Sequence, residues 1–96
     1  MSYYFVARIK IHDDAEYQKY LDQADDVFKK YYGEYIVVDD NCLVLEGNWD
    51  GSRMVIIRFT TQDDFNEWYN SPEYQQILKH RLKAAHCDTI LVKGIN

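Results

Sequence analysis

Two segments of this chain, residues 3–11 and 53–60, alternate at period two yet carry apolar side chains on both of their faces. In the first, Tyr3, Phe5, Ala7, Ile9 and Ile11 form one apolar face, and Tyr4, Val6, Arg8 and Lys10 a mixed one. In the second, Val55, Ile57 and Phe59 alternate with Met54, Ile56 and Arg58. Successive strand side chains point to opposite faces, so strands of this kind need cover on both sides. That requirement constrains every fold the chain can adopt.

The cover for one side is legible as helix. Asp13 has the chemistry of an N-cap, with Glu16 at capping-box spacing. Tyr17, Tyr20, Leu21, Ala24, Val27, Phe28 and Tyr31 then follow at steps of three and one, which places them on a single stripe. Gly33 is expected to stop this helix. Thr61 with Asp64 caps a short second helix that turns Phe65, Trp68 and Tyr69 inward. Ser71 caps a third, with Pro72 at its first position and Tyr74, Ile77, Leu78 and Leu82 on the inner face. Residues 35–38 and 42–46 read as two strands joined by the turn Asp39-Asp40-Asn41, and 88–93 as a last strand ended by Gly94.

The order is strand, helix, strand pair, strand, helices, strand, and right-handed crossovers put the helices on one face. This implies an α+β, ferredoxin-like βαββαβ domain with an antiparallel sheet and the helices on one face. Within it, the strand at 53–60 is expected beside the first strand and parallel to it, with the odd residues of both facing the helices. Tyr4, Val6, Met54, Ile56, Ile90 and Val92 would project from the other face with no helix left to cover them. An apolar patch of that extent is uncommon on a monomer. A homodimer packed sheet to sheet would bury it, and two-fold dimers are the commonest assemblies.

Composition narrows the function classes. The chain has 96 residues, one domain's length, so residues 1–96 are read as a single domain. A net charge of −5 disfavours nucleic acid as a partner, since phosphates select basic surfaces. The one dense basic stretch, Lys79, Arg81 and Lys83, falls where a helix should end and complements its dipole. No apolar run approaches the roughly 20 residues of a membrane span, and the N-terminus lacks the regions of a signal peptide. Cys42 and Cys87 stand apart without a metal or redox spacing, which fits reduced thiols in a cytoplasmic protein. His12, His80 and His86 show no metal or catalytic spacing, and the glycines are isolated, so neither metal nor cofactor is expected.

Several stretches together resemble one family. They are Ala7-Arg8-Ile9-Lys10-Ile11 followed by Asp13, Tyr17 and Tyr20, Glu46-Gly47-Asn48-Trp49, Val55-Ile56-Ile57 with Phe59, and above all Trp68-Tyr69-Asn70-Ser71-Pro72-Glu73-Tyr74-Gln75. The chain resembles the DUF1330 family over nearly its whole length. That family is similar to the dimeric α+β barrel superfamily, which includes cofactor-free monooxygenases, muconolactone isomerases, EthD-like proteins and haem-dependent enzymes. The resemblance implies a dimer and implies no particular reaction. The chain departs from the family's pattern at Val38-Asp39-Asp40, where Arg-Gly-Gly is usual, and at Arg58, where Glu is usual.

Candidate ligand-binding residues follow from the expected sheet. Arg8 and Arg58, as even-face residues of neighbouring parallel strands, would sit side by side between the sheets and bind a carboxylate or similar anion. The alternative is an ion pair with Glu46 or Asp88 of the same or the partner chain. Tyr4, Trp49, Trp68 and Tyr69 could line a pocket for a flat apolar compound, with core packing the alternative for Trp68 and Tyr69. The reading that follows is a homodimeric module binding a small anionic or aromatic metabolite in an inter-sheet or sheet–helix cavity. The alternatives are a cofactor-independent isomerase or monooxygenase-like enzyme and a structural or interaction domain; no catalytic residue is singled out.

Overall fold

The computed structural model describes residues 1–96. The chain runs β1 (Tyr3–Ile11), α1 (Asp14–Phe28), β2 (Glu34–Asp39), β3 (Arg53–Phe59), α2 (Gln62–Tyr69), α3 (Pro72–Ala84) and β4 (Ala85–Lys93). The four strands form one sheet in the order β2-β3-β1-β4, and the paired neighbours are antiparallel. This is the expected α+β, ferredoxin-like architecture. The odd residues of β1 and β3 are buried against the helices: Phe5, Ala7, Ile9, Val55, Ile57 and Phe59.

The caps act as their chemistry dictates. Asp13 Oδ1 accepts from the Glu16 backbone N–H at 3.1 Å, Thr61 Oγ1 from that of Asp64 at 3.0 Å, and Ser71 Oγ from that of Tyr74 at 3.1 Å. Each satisfies an orphan donor of a first helical turn. Glu16 does not reach back to close a capping box. Its carboxylate meets His80 Nδ1 at 2.6 Å and Lys19 Nζ at 3.2 Å instead, tying α1 to α3.

Five expectations need correction. β1 and β3 are antiparallel, not parallel, because a crossover through α1 makes β2 the parallel partner of β1 and β3 returns between them. Residues 42–46 are irregular, not a strand: they pair with no strand of the sheet, although its β2 and β4 edges are open. The long link between β2 and β3 therefore exposes Leu43 (86%) and Leu45 (84%). β4 begins at Ala85, directly after α3, and not at residue 88. Gly33 is not the helix cap, since α1 already ends at Phe28. Its role is close approach: a Cβ there would stand 2.5 Å from Phe28 Cζ and 2.8 Å from Phe59 Cε1. Leu82, expected inside, is 60% exposed, and Arg81 takes the inner position at 2%. Helical geometry explains the exchange, because position 81 lies about 20° from Tyr74 around the axis and position 82 about 80°.

Between β2 and β3 the register shifts, so that Tyr35 opposes Ile57 while Val37 opposes Ile56. Ile36 is the extra residue of a bulge. Because one residue is left unpaired, Tyr35 and Val38, three positions apart, both fall on the helix side. No helix is long and apolar enough to cross a membrane.

Candidate functional site

The helix side of the sheet does not close completely. A cavity of about 390 Å³ lies between α1, α3 and the strands. β1 and β3 supply its apolar floor through Phe5, Ala7, Ile9, Val55 and Ile57, and α1 supplies Tyr17, Tyr20, Leu21 and Ala24. The β2 bulge adds Tyr35 and Val38. Asp25, Tyr35 and Val38 are its exposed lining residues, so the opening lies between α1 and β2. Eleven of the 14 lining residues are hydrophobic, and the cationic exceptions are Arg53 and Arg81.

These two arginines differ in their surroundings. Arg53 Nη1 donates to Asp40 Oδ1 at 2.8 Å, so its charge is answered, although its buried Nε has no partner. Arg81 belongs to none of the chain's ion pairs. Its Nη1 is buried without a hydrogen-bond partner. Its guanidinium carbon stands 5.8 Å from the centre of the Tyr20 ring, a cation–π contact. Tyr20 and Tyr74 join through their hydroxyls at 2.8 Å.

Burial raises the pKa of Tyr20 well above the ordinary value, with the neighbouring Tyr74 adding to it, and burial also raises Tyr74. Tyr35 is pushed up to about 12, again chiefly by burial and then by Asp25. These phenols are therefore neutral O–H groups at neutral pH. Burial works against the charge of Arg81, whereas Tyr74 and Tyr20 favour it and leave its pKa raised overall. That favour comes from their phenolate forms, which are absent at neutral pH. The guanidinium then faces two neutral hydroxyls and the Cys87 sulfur with no carboxylate beside it, an arrangement that a bound carboxylate or other negative oxygen would complete.

The residues singled out from sequence lie elsewhere. Arg58 opposes Tyr4 and Arg8 opposes Met54 in the β1–β3 register, so the two arginines stand four residues apart along the sheet rather than side by side. At about 3.3 Å per residue, that is roughly 13 Å. Arg8 lies 4.9 Å from the Trp49 ring centre and pairs at 3.8 Å with Asp50, not with Glu46 or Asp88. Arg58 Nε donates to Ser2 Oγ at 2.9 Å. Tyr4, Arg8, Trp49 and Arg58 thus belong to the outer face and its rim.

Trp68 and Tyr69 are on the helix side, within an aromatic cluster behind the cavity. Trp68 is 5.5 Å from the Phe5 ring and 4.2 Å from that of Tyr74; Tyr69 is 5.9 Å from Phe5. Neither lines the cavity, but both support Phe5, which does. The residues that sequence reasoning missed are Arg81, Arg53, Tyr20 and Tyr35 as lining groups. A signal for Arg81 existed in its spacing of seven from Tyr74 and four from Ile77, which puts it on the buried stripe.

Known structures share this architecture. A protein of unknown function from Rhodopseudomonas palustris superposes with a TM-score of 0.78 at 20% identity, covering 99% of this chain and 83% of that one. SnoaB, described as a cofactor-independent oxygenase from Streptomyces nogalater, does so at 0.71 and 19%, covering 99% and 94%. A dimeric ferredoxin-like protein of unknown function from Thermobifida fusca gives 0.70 at 11%, covering 98% and 92%. At these identities the likeness speaks for the fold alone. No curated protein matches the chain. A family model does match, over residues 2–95, and the chain is a member of the DUF1330 family, a domain of unknown function.

Proposed function

We propose that this chain is a homodimeric small-molecule-binding module of the cytoplasm that holds an apolar compound of one or two rings in its helix–sheet cavity. The cavity itself carries the reading: about 390 Å³, mostly apolar, with a few polar groups converging on it. Ligand sites typically span roughly 300–1,000 Å³ and have this make-up. Trp68 and Tyr69 serve it from behind by fixing Phe5. Two unpaired thiols, Cys42 and Cys87, fit a reducing compartment.

The outer sheet face supplies the second copy's docking surface, with Tyr4, Arg8, Arg58 and Trp49 in or beside the inter-subunit space. Exposed Ile90 and Val92 continue that face across β4, and the exposed Leu43 and Leu45 extend it at the β2 edge. The Thermobifida fusca relative in fold is described as dimeric.

A thermal-shift screen of aromatic carboxylates and their neutral amides, run on wild type and Ala24→Leu, tests the cavity. Stabilisation by at least one compound, lost when the larger side chain at position 24 fills the space, is the expected outcome. Stabilisation that survives in the variant would place the ligand elsewhere. Sedimentation at micromolar concentration tests the assembly: wild type is expected at twice the subunit mass and Ile90→Lys at one subunit. A wild type that sediments as one subunit overturns the dimer.

A cofactor-independent isomerase or monooxygenase-like activity is the second reading, favoured by the fold shared with SnoaB. The cavity phenols hold their protons at neutral pH, so they can donate hydrogen bonds but not abstract protons, and the substrate would have to ionise readily by itself. A bound compound recovered unchanged after aerobic incubation leaves the binding reading in place; one recovered rearranged or oxygenated favours the enzyme.

A further inference from the structure

We infer that the ligand of this cavity is a monocarboxylate on an aromatic or alicyclic body, seated with its carboxylate on Arg81. The inference rests on the binding reading above and adds the chemical class of the compound. Arg81 is 2% exposed, has no ion-pair partner, and keeps Nη1 free of any hydrogen bond within the chain. A buried charge left unpaired is unfavourable, and because Arg81 is among the residues that line the cavity, an anion in the cavity that reached the guanidinium would relieve it.

Ion pairing sets the valence. Arg53 is already answered by Asp40, and Asp25, exposed at the opening, makes no ion pair with Arg81, so Arg81 is the one lining cation without an ion-pair partner. A singly charged carboxylate matches it, whereas a phosphate dianion would bring one charge too many into a largely apolar space. The planar fork of arginine also suits two carboxylate oxygens.

Tyr20 completes the seat. In the Tyr20–Tyr74 pair one hydroxyl proton is used between the two oxygens, and one remains. If Tyr74 donates, the remaining proton belongs to Tyr20, the member of the pair that lines the cavity. The carboxylate then takes a charge-assisted bond from Arg81 and a second from Tyr20. The apolar body lies against the Ile9, Val55 and Ile57 floor.

The test titrates 2-naphthoate, 2-naphthamide and inorganic phosphate into wild type, Arg81→Met, Tyr20→Phe and Ala24→Leu by calorimetry. Wild type is expected to prefer naphthoate over naphthamide by at least about tenfold, the effect of one hydrogen bond to a charged group, and to ignore phosphate. Arg81→Met should lose the preference, binding naphthoate no more tightly than naphthamide. Tyr20→Phe should reduce the preference by a smaller factor, and Ala24→Leu should weaken both naphthyl compounds together.

Equal binding of the two naphthyl compounds by wild type, with both weakened by Ala24→Leu, overturns the carboxylate seat and leaves the cavity reading standing. A preference that persists in Arg81→Met overturns the seat as well. Absence of any naphthyl binding overturns the cavity reading and the seat together. Should Arg81→Met not fold, the Arg81 side-chain Nε–H resonance of wild type decides. Movement with naphthoate but not with naphthamide is expected, and an unmoved signal at saturating naphthoate overturns the seat.

Discussion

The two faces of the one sheet handle cationic side chains in opposite ways. On the outer face, Arg8 rests on Trp49 and pairs with Asp50, and Arg58 donates to Ser2. These groups are partly in contact with water, and what they lack from protein the solvent provides. On the helix face, Arg81 is 2% exposed, lies over the Tyr20 ring and makes no ion pair. This difference is why the proposed ligand is assigned to a cation that is both buried and unanswered. A cation on a half-wet sheet face has cheaper solutions.

The faces should also differ in how much they stabilise the chain. Phe59 is fully buried and packs against Phe28, Phe65 and Trp68. Phe59→Ala should therefore cost about 3–5 kcal/mol in urea unfolding. Ile90→Ala on the outer face should cost far less in the separated subunit, and under the proposed dimer its penalty should grow with protein concentration. Equal, concentration-independent costs at both positions would erase the contrast between a finished core and an unfinished one.

Gly33→Ala should be the next largest loss, about 1–3 kcal/mol, because its methyl must displace the Phe28 or Phe59 ring. An unchanged unfolding midpoint would mean that this end of the core has slack. Arg81→Met should act in the other direction. Replacing an unanswered buried charge with an apolar chain of similar length should leave the unliganded protein as stable as wild type or up to about 2 kcal/mol more stable. A clear loss of stability would show that Arg81 is a structural cation with a partner in the chain.

The smallest effect belongs to the outer-face loop. Asp50 is held down to about 2, first by its hydrogen bond from Ser52 and then by Lys10 and Arg8. A depressed carboxyl pKa contributes stability that is fully present above the unfolded value of about 3.9 and is lost as pH falls through about 2. Trp49 fluorescence should thus hold steady down to about pH 3 and change through about pH 2, with the transition absent in Asp50→Asn. Persistence of the transition in that variant would assign it to another group.

Much of the fold was legible because local chemistry and periodicity agreed. The caps at Asp13, Thr61 and Ser71, the stripe from Tyr17 to Phe28, and the inward odd faces of β1 and β3 all needed only the residues themselves. The misread strand at 42–46 had the right composition but pairs with no strand of the sheet, although the β2 and β4 edges are open. Arg81 was read with Lys79 and Lys83 as a helix-end cation, although its position on the stripe pointed inward. The candidate pair Arg8 and Arg58 failed to meet because strand direction, which no single strand encodes, separates them along the sheet.

Sequence alone determined the types of the four strands and three helices that form, the family, and the presence of apolar residues on both faces of the sheet, because these depend on spacing over a few neighbouring residues. Tertiary structure alone decided that α1 and α3 stand off the sheet far enough to leave a cavity, that the bulge at Ile36 turns Tyr35 and Val38 toward it, and that Arg81 reaches its wall without an anion. The physical reason is range. Capping and periodicity act within a turn or a strand, whereas a void and an unanswered charge are properties of groups brought together from distant parts of the chain.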